Sequence, residues 1–138
     1  MNKRIVEENI SKALDALNDT QNCKIVKDGK IVKTFRGAIS TFGAAVTMGS
    51  FKAAVAFFSD NGASSVERAE LLKAMNYIVN GEWIEAKEIY QKISRLSGEQ
   101  LSNTAEDFIN AAVALKLAMN AFNLVKDSSN KEKDNEES

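Results

Sequence analysis

Between Phe35 and Gly62 the chain reads FRGAISTFGAAVTMGSFKAAVAFFSDNG, where small and apolar residues crowd together and charge sits mainly at Arg36, Lys52 and Asp60. Helix surfaces this small let another backbone come close, so the segment belongs inside a closely packed fold. Residues 37 to 58 are long enough to span a membrane and carry one charge, Lys52. A membrane span is rejected all the same. Much of the stretch is Ala, Gly, Ser and Thr, Gly49-Ser50 divides it, and Lys52 would lie deep in hydrocarbon at a cost of about 3 kcal/mol. Two short buried helices are the better reading.

Proline is absent, and apolar residues recur mostly with a helical period, which predicts an all-α domain. At 138 residues the chain can bury a core without disulfides or a structural metal. The punctuation predicts a single compact bundle of about six helices over residues 1–126. The first spans 3–18, with Val6, Ile10, Ala13 and Leu17 on one face. The second spans 32–48 and buries Phe35, Ile39, Phe42 and Val46. The third, 51–60, is apolar nearly all round through Phe51, Val55, Phe57 and Phe58, and belongs at the centre. Asp60-Asn61-Gly62 stops it, and Ser64 with Glu67 forms a capping-box pattern opening a fourth helix over 65–79. A fifth covers 82–96. The longest, 99–126, keeps a heptad through Leu101, Ala105, Phe108, Ala112, Leu115, Met119 and Phe122; Ile109, Val113, Leu117, Leu124 and Val125 widen the stripe to the breadth of bundle packing.

One segment conflicts with the helical pattern. Ile25 to Val32, IVKDGKIV, reads as two short strands about a tight Asp28-Gly29 turn, yet an isolated hairpin is marginally stable. The expectation is therefore a loop leading into the second helix, with the hairpin as the alternative. From Asp127 the sequence DSSNKEKDNEES has no apolar residue with which to pack, which predicts a disordered acidic tail over 127–138. Cys23 is the sole cysteine and reads as a reduced thiol. Glu7 and Glu8 stand where a secretory signal needs an apolar run, so the expected location is cytoplasmic.

Chemistry-bearing constellations are scarce. The chain has no histidine, which removes the commonest general base and the usual zinc ligand, and one cysteine builds no thiolate cage. Gly43 to Ser50 resembles a phosphate loop only superficially: five residues separate its glycines and no lysine follows the second. Glu82, Glu85 and Glu88 at helical spacing read with Lys87 and Lys92 as a solvated face. The expectation is no enzymatic activity, no cofactor, no metal site, no small-molecule substrate and no membrane partner.

What remains is a binding surface. Lys24, Lys27, Lys30, Lys33 and Arg36 recur at every third position, so residues 24 to 52 hold six basic side chains against one acid, Asp28. On the second helix Arg36, Ser40, Gly43, Thr47 and Ser50 follow steps of four and three, a small polar stripe on which RNA or another helix could dock. The segment 35–79, FRGAISTFGAAVTMGSFKAAVAFFSD followed by SSVERAELLKAMNYIV, resembles the small α-helical subunit of type III-B CRISPR RNA-guided effector complexes, the Cmr family. The pattern Phe-Arg-Gly, a helix, a small-residue turn, Ala-Phe-Phe and an Arg-containing helix carries the resemblance over about a third of the chain. It implies a non-catalytic subunit that packs beside backbone subunits and helps hold guide RNA and target RNA, without reading sequence. The candidate RNA face takes Lys30, Lys33, Arg36 and Lys52 as phosphate contacts, Ser40, Thr47 and Ser50 as lesser polar partners, and Arg68 in addition. The competing reading is a helical protein–protein adaptor with no nucleic-acid role.

Overall fold

A computed structural model describes residues 1–60 and 66–125. Within them the all-α expectation holds: six helices run α1 (Lys3–Asn18), α2 (Lys33–Met48), α3 (Phe51–Phe58), α4 (Val66–Asn80), α5 (Ala86–Ser94) and α6 (Gly98–Ala118). Ser64 of the expected capping box and the tail 127–138 lie outside the described residues. No helix among the described residues is long and apolar enough to cross a membrane.

α6 is the axis of the bundle and packs against α1, α2 and α4. Its buried face is partly built from Ala111, Ala112, Ala114 and Ala118, while α1 buries Ala13 and Ala16, small residues that permit close helix approach. α3 follows α2 after a break at Gly49, whose amide still bonds Ala45 O at 3.0 Å before Ser50 caps the new helix by accepting from Ala53 N at 3.0 Å. The break folds an aromatic cluster together. Phe42 meets Phe58 edge-on at 5.2 Å between centroids and Phe51 at 6.5 Å, and Phe51 continues to Phe108 of α6 at 5.4 Å.

Four expectations are corrected. First, the stretch before α2 is a hairpin and not a loop: β1 (Val26–Lys27) pairs antiparallel with β2 (Lys30–Val32), with Lys27 opposite Lys30. Asp28 and Gly29 take φ of 53° and 74°, the left-handed pair that a two-residue hairpin turn requires. Second, the last helix stops at Ala118 instead of running to 126. A 3-10 turn at Met119–Ala121 leads into β3 (Asn123–Val125), which pairs parallel with β2, Lys30 opposite Asn123 and Val32 opposite Val125. The third strand supplies the partner an isolated hairpin lacks, and Ile25, Val26 and Ile31 are buried beneath the sheet.

Third, α5 begins at Ala86, and residues 82–85 form a loop tied back to α4. Asn76 Nδ2 donates to Glu82 O at 3.2 Å, and Trp83 stacks on Tyr77 with centroids 4.6 Å apart. Fourth, the third helix is not buried all round: Phe58 is fully buried, whereas Phe57 is 52% exposed and lies beneath the Arg68 guanidinium, 4.1 Å from the ring centroid. Phe51, Ala54, Val55 and Phe58 form the buried face of this eight-residue helix, and Phe57 falls outside it.

Candidate nucleic-acid interface

The basic segment is organised by the sheet. In β1 and β2 the side chains alternate, so Val26 and Ile31 point to the core and Lys27 and Lys30 share the outer face as a cross-strand pair. Lys33, the first residue of α2, is also exposed. Among the described residues none pairs with Lys27, Lys30 or Lys33, and all three side chains are exposed. Like charges directly opposite on a ladder are mutually unfavourable, by a few tenths to about 1 kcal/mol. α2 continues the same charge: Lys33 and Arg36 lie in its first turn, which has no acidic residue and no side-chain cap. That turn is the positive end of the helix dipole, so nearby cations raise its potential further.

Acidic groups mark the border of this surface. Glu67 accepts from Thr34 Oγ1 at 2.9 Å. Glu70, 9% exposed, accepts from Lys24 N at 2.7 Å and from Lys73 Nζ at 3.1 Å, which fastens the approach to β1 onto α4. Lys24 itself turns back and donates its Nζ to Thr20 O at 2.8 Å. Cys23 sits buried at the same root, and desolvation pushes its thiol up to about 11.

The remaining expected contacts are committed elsewhere. Arg36 Nη1 donates to Asn120 Oδ1 in the turn after α6. Ser40 Oγ donates to Arg36 O and Thr47 Oγ1 to Gly43 O, each at 3.0 Å, back-bonds to the preceding helical turn. A hydroxyl has one proton, so while these bonds last neither side chain donates to a phosphate. Ser50 caps α3. Lys52 Nζ donates to Ser94 O at the end of α5 at 3.0 Å, where a cation meets the negative end of that helix. Arg68 Nε donates to Phe57 O at 3.4 Å, and its guanidinium covers the Phe57 ring.

Of the expected set, then, the fold leaves Lys30 and Lys33 uncommitted at one junction, sets Arg36 beside them through α2, and ties Lys52 and Arg68 to other parts of the bundle. Lys27 is the residue that sequence reasoning missed. Its place opposite Lys30 follows from the Asp28-Gly29 turn, because a two-residue turn fixes the register. Beside the α2 stripe, Ser40 and Gly43 form one wall of a groove of about 180 Å³ whose other wall is Ile109, Val113 and Lys116 of α6. No group of three or more His, Cys, Asp or Glu side chains among the described residues is arranged to hold a metal ion. No protein-family model, no curated protein and no solved structure matches this chain.

Proposed function

We propose that this chain is a non-catalytic subunit of an RNA-guided ribonucleoprotein of the type III-B class, which meets guide or target RNA through the hairpin–α2 junction. The supporting observation is the set of uncommitted, exposed lysines Lys27, Lys30 and Lys33 next to the first turn of α2. Ammonium groups there suit phosphate oxygens and carry no information about bases, so the binding is electrostatic and tolerant of sequence. The resemblance of residues 35–79 to Cmr small subunits supplies the class of assembly.

A second reading has its own observation. The back-bonded hydroxyls of Ser40 and Thr47 and the apolar wall of Ile109 and Val113 make the α2–α6 groove better suited to a helix than to a phosphate backbone. In that reading the groove docks a neighbouring protein subunit.

Affinity capture from the native host, followed by mass spectrometry and RNA sequencing, tests both. The first reading expects effector subunits and guide RNA in the captured material. The double reversal Lys33→Glu with Arg36→Glu should then weaken target-RNA binding for guides of any sequence. Protein partners without RNA, or a reversal that disrupts subunit association while RNA affinity is untouched, would move the surface to the adaptor reading.

A further inference from the structure

The parallel pairing of β3 decides where the chain leaves the sheet. Val125, the last residue of β3, lies opposite Val32, and Lys33 opens α2 immediately after Val32. Because β2 and β3 run the same way, the chain departs from β3 at the end of the sheet where β2 passes into α2. Measured along the elements, Lys30 is about 7 Å behind Val32 and Arg36 about 6 Å ahead of it. The continuation of the chain beyond Val125 thus starts beside the basic junction.

That continuation has the opposite charge. Residues 127–138, DSSNKEKDNEES, hold five acidic residues against two lysines, and Asp134, Glu136 and Glu137 all follow the last lysine. The whole chain has a formal net charge of −1, so the part before this segment is net positive. Lys27, Lys30 and Lys33 are exposed and have no partner among the described residues. Asp28, in the hairpin turn, is the one acid between positions 24 and 52. Lys27 and Lys30 oppose each other across the ladder, so a carboxylate placed near them relieves a repulsion as well as adding an attraction.

We propose that the basic junction of the free chain is occupied by this chain's own acidic segment 127–138, which yields the surface to RNA phosphates. Asp134 to Glu137 stand nine to twelve residues beyond Val125, and a chain of that length spans up to about 30–40 Å, so reach is ample. Single exposed ion pairs contribute little. Tethering changes the balance, because a short linker presents the acids at an effective concentration in the millimolar range and several pairs form together. A contact of this kind is screened by salt and is open to displacement by a strand that carries a charge at every phosphate. The displacement rests on the RNA reading above; the occupancy does not.

Amide NMR of the full chain, compared with the full chain carrying Glu132→Gln, Asp134→Asn, Glu136→Gln and Glu137→Gln, tests the occupancy without RNA. At about 20 mM salt the two spectra should differ at Lys27, Lys30, Lys33 and Arg36, and the difference should vanish by about 0.5 M, where charges are screened within a few ångströms. No difference at those residues, or one centred elsewhere on the chain, overturns the proposal. Differences that grow with protein concentration would place the segment on a second copy and overturn it as well. Anisotropy titration with a labelled oligouridylate of about ten nucleotides reads the displacement, and the neutralised variant should bind at least about threefold more tightly at low salt. Equal measurable affinity of the two chains overturns the displacement. Junction shifts with no oligouridylate binding by either chain would support the occupancy and count against the RNA function instead.

Discussion

The hairpin and the outer stripe of α2 are neighbours in the sequence, both polar, and they end up with opposite chemical standing. In the hairpin, pairing fixes the backbone, so Lys27 and Lys30 project outward, exposed and with no bonding partner among the described residues. On α2 the hydroxyls of Ser40 and Thr47 return to the helix that carries them. A polar residue counts as a binding group only after its own backbone's claims on it are met. Exposed lysines meet that condition here, and the helical hydroxyls do not.

The contrast depends on the sheet staying folded, so its buried anchor gives the largest expected effect. Ile31→Ala should lower stability by about 2–5 kcal/mol in denaturant unfolding, because the side chain is fully buried beneath the sheet. A loss under about 0.5 kcal/mol would show that the sheet contributes nothing to holding the junction.

Cys23, at the root of the hairpin, gives a pH-dependent probe. Its thiol is raised from an ordinary value near 9 to about 11, chiefly by burial. A raised thiol pKa means that the unfolded chain releases its proton first. The stabilising contribution is complete below about pH 9 and is lost as pH rises toward 11, by roughly 2–3 kcal/mol. Unfolding of the wild type and of Cys23→Ala across that range should differ in slope; parallel curves would mean that the thiol is not buried in solution.

Reversing Lys27, Lys30 and Lys33 together to glutamate should reduce RNA affinity of the captured assembly at least about tenfold, or 1.4 kcal/mol. The logarithmic salt dependence should flatten by about 0.7 for each phosphate of a single strand that is no longer neutralised. Folding should be unaffected because all three side chains are exposed.

Smaller effects complete the series. Phe57→Ala should cost under about 1 kcal/mol, chiefly the cation–π interaction with Arg68, since half of the ring already faces solvent. Ser40→Ala and Thr47→Ala should each leave stability within about 0.5 kcal/mol and RNA affinity unchanged. A marked fall in RNA binding in either variant would restore the stripe as a phosphate surface and erase the contrast with the hairpin.

The six helices were legible because their signals are local. Apolar residues at three- and four-residue spacing, Ser50 at an N-cap and Gly49, Gly81 and Gly98 at the breaks all act within a turn or two of the chain. The Asp28-Gly29 turn was legible on the same ground. Whether the hairpin would form was decided by Leu124 and Val125, about ninety residues away, which read in sequence as a widening of the apolar stripe of the last helix. Sequence pattern cannot choose between those two uses, because the choice rests on β2 presenting an open edge of backbone hydrogen-bonding groups to Asn123–Val125. The same limit applies to the candidate site. Composition located the basic segment, but only the folded chain determined that Lys27 faces outward beside Lys30, that Lys52 is held by Ser94 and that Phe58 rather than Phe57 fills the core. Periodicity specifies which residues share a face; what covers that face is a property of surfaces brought together from distant parts of the chain.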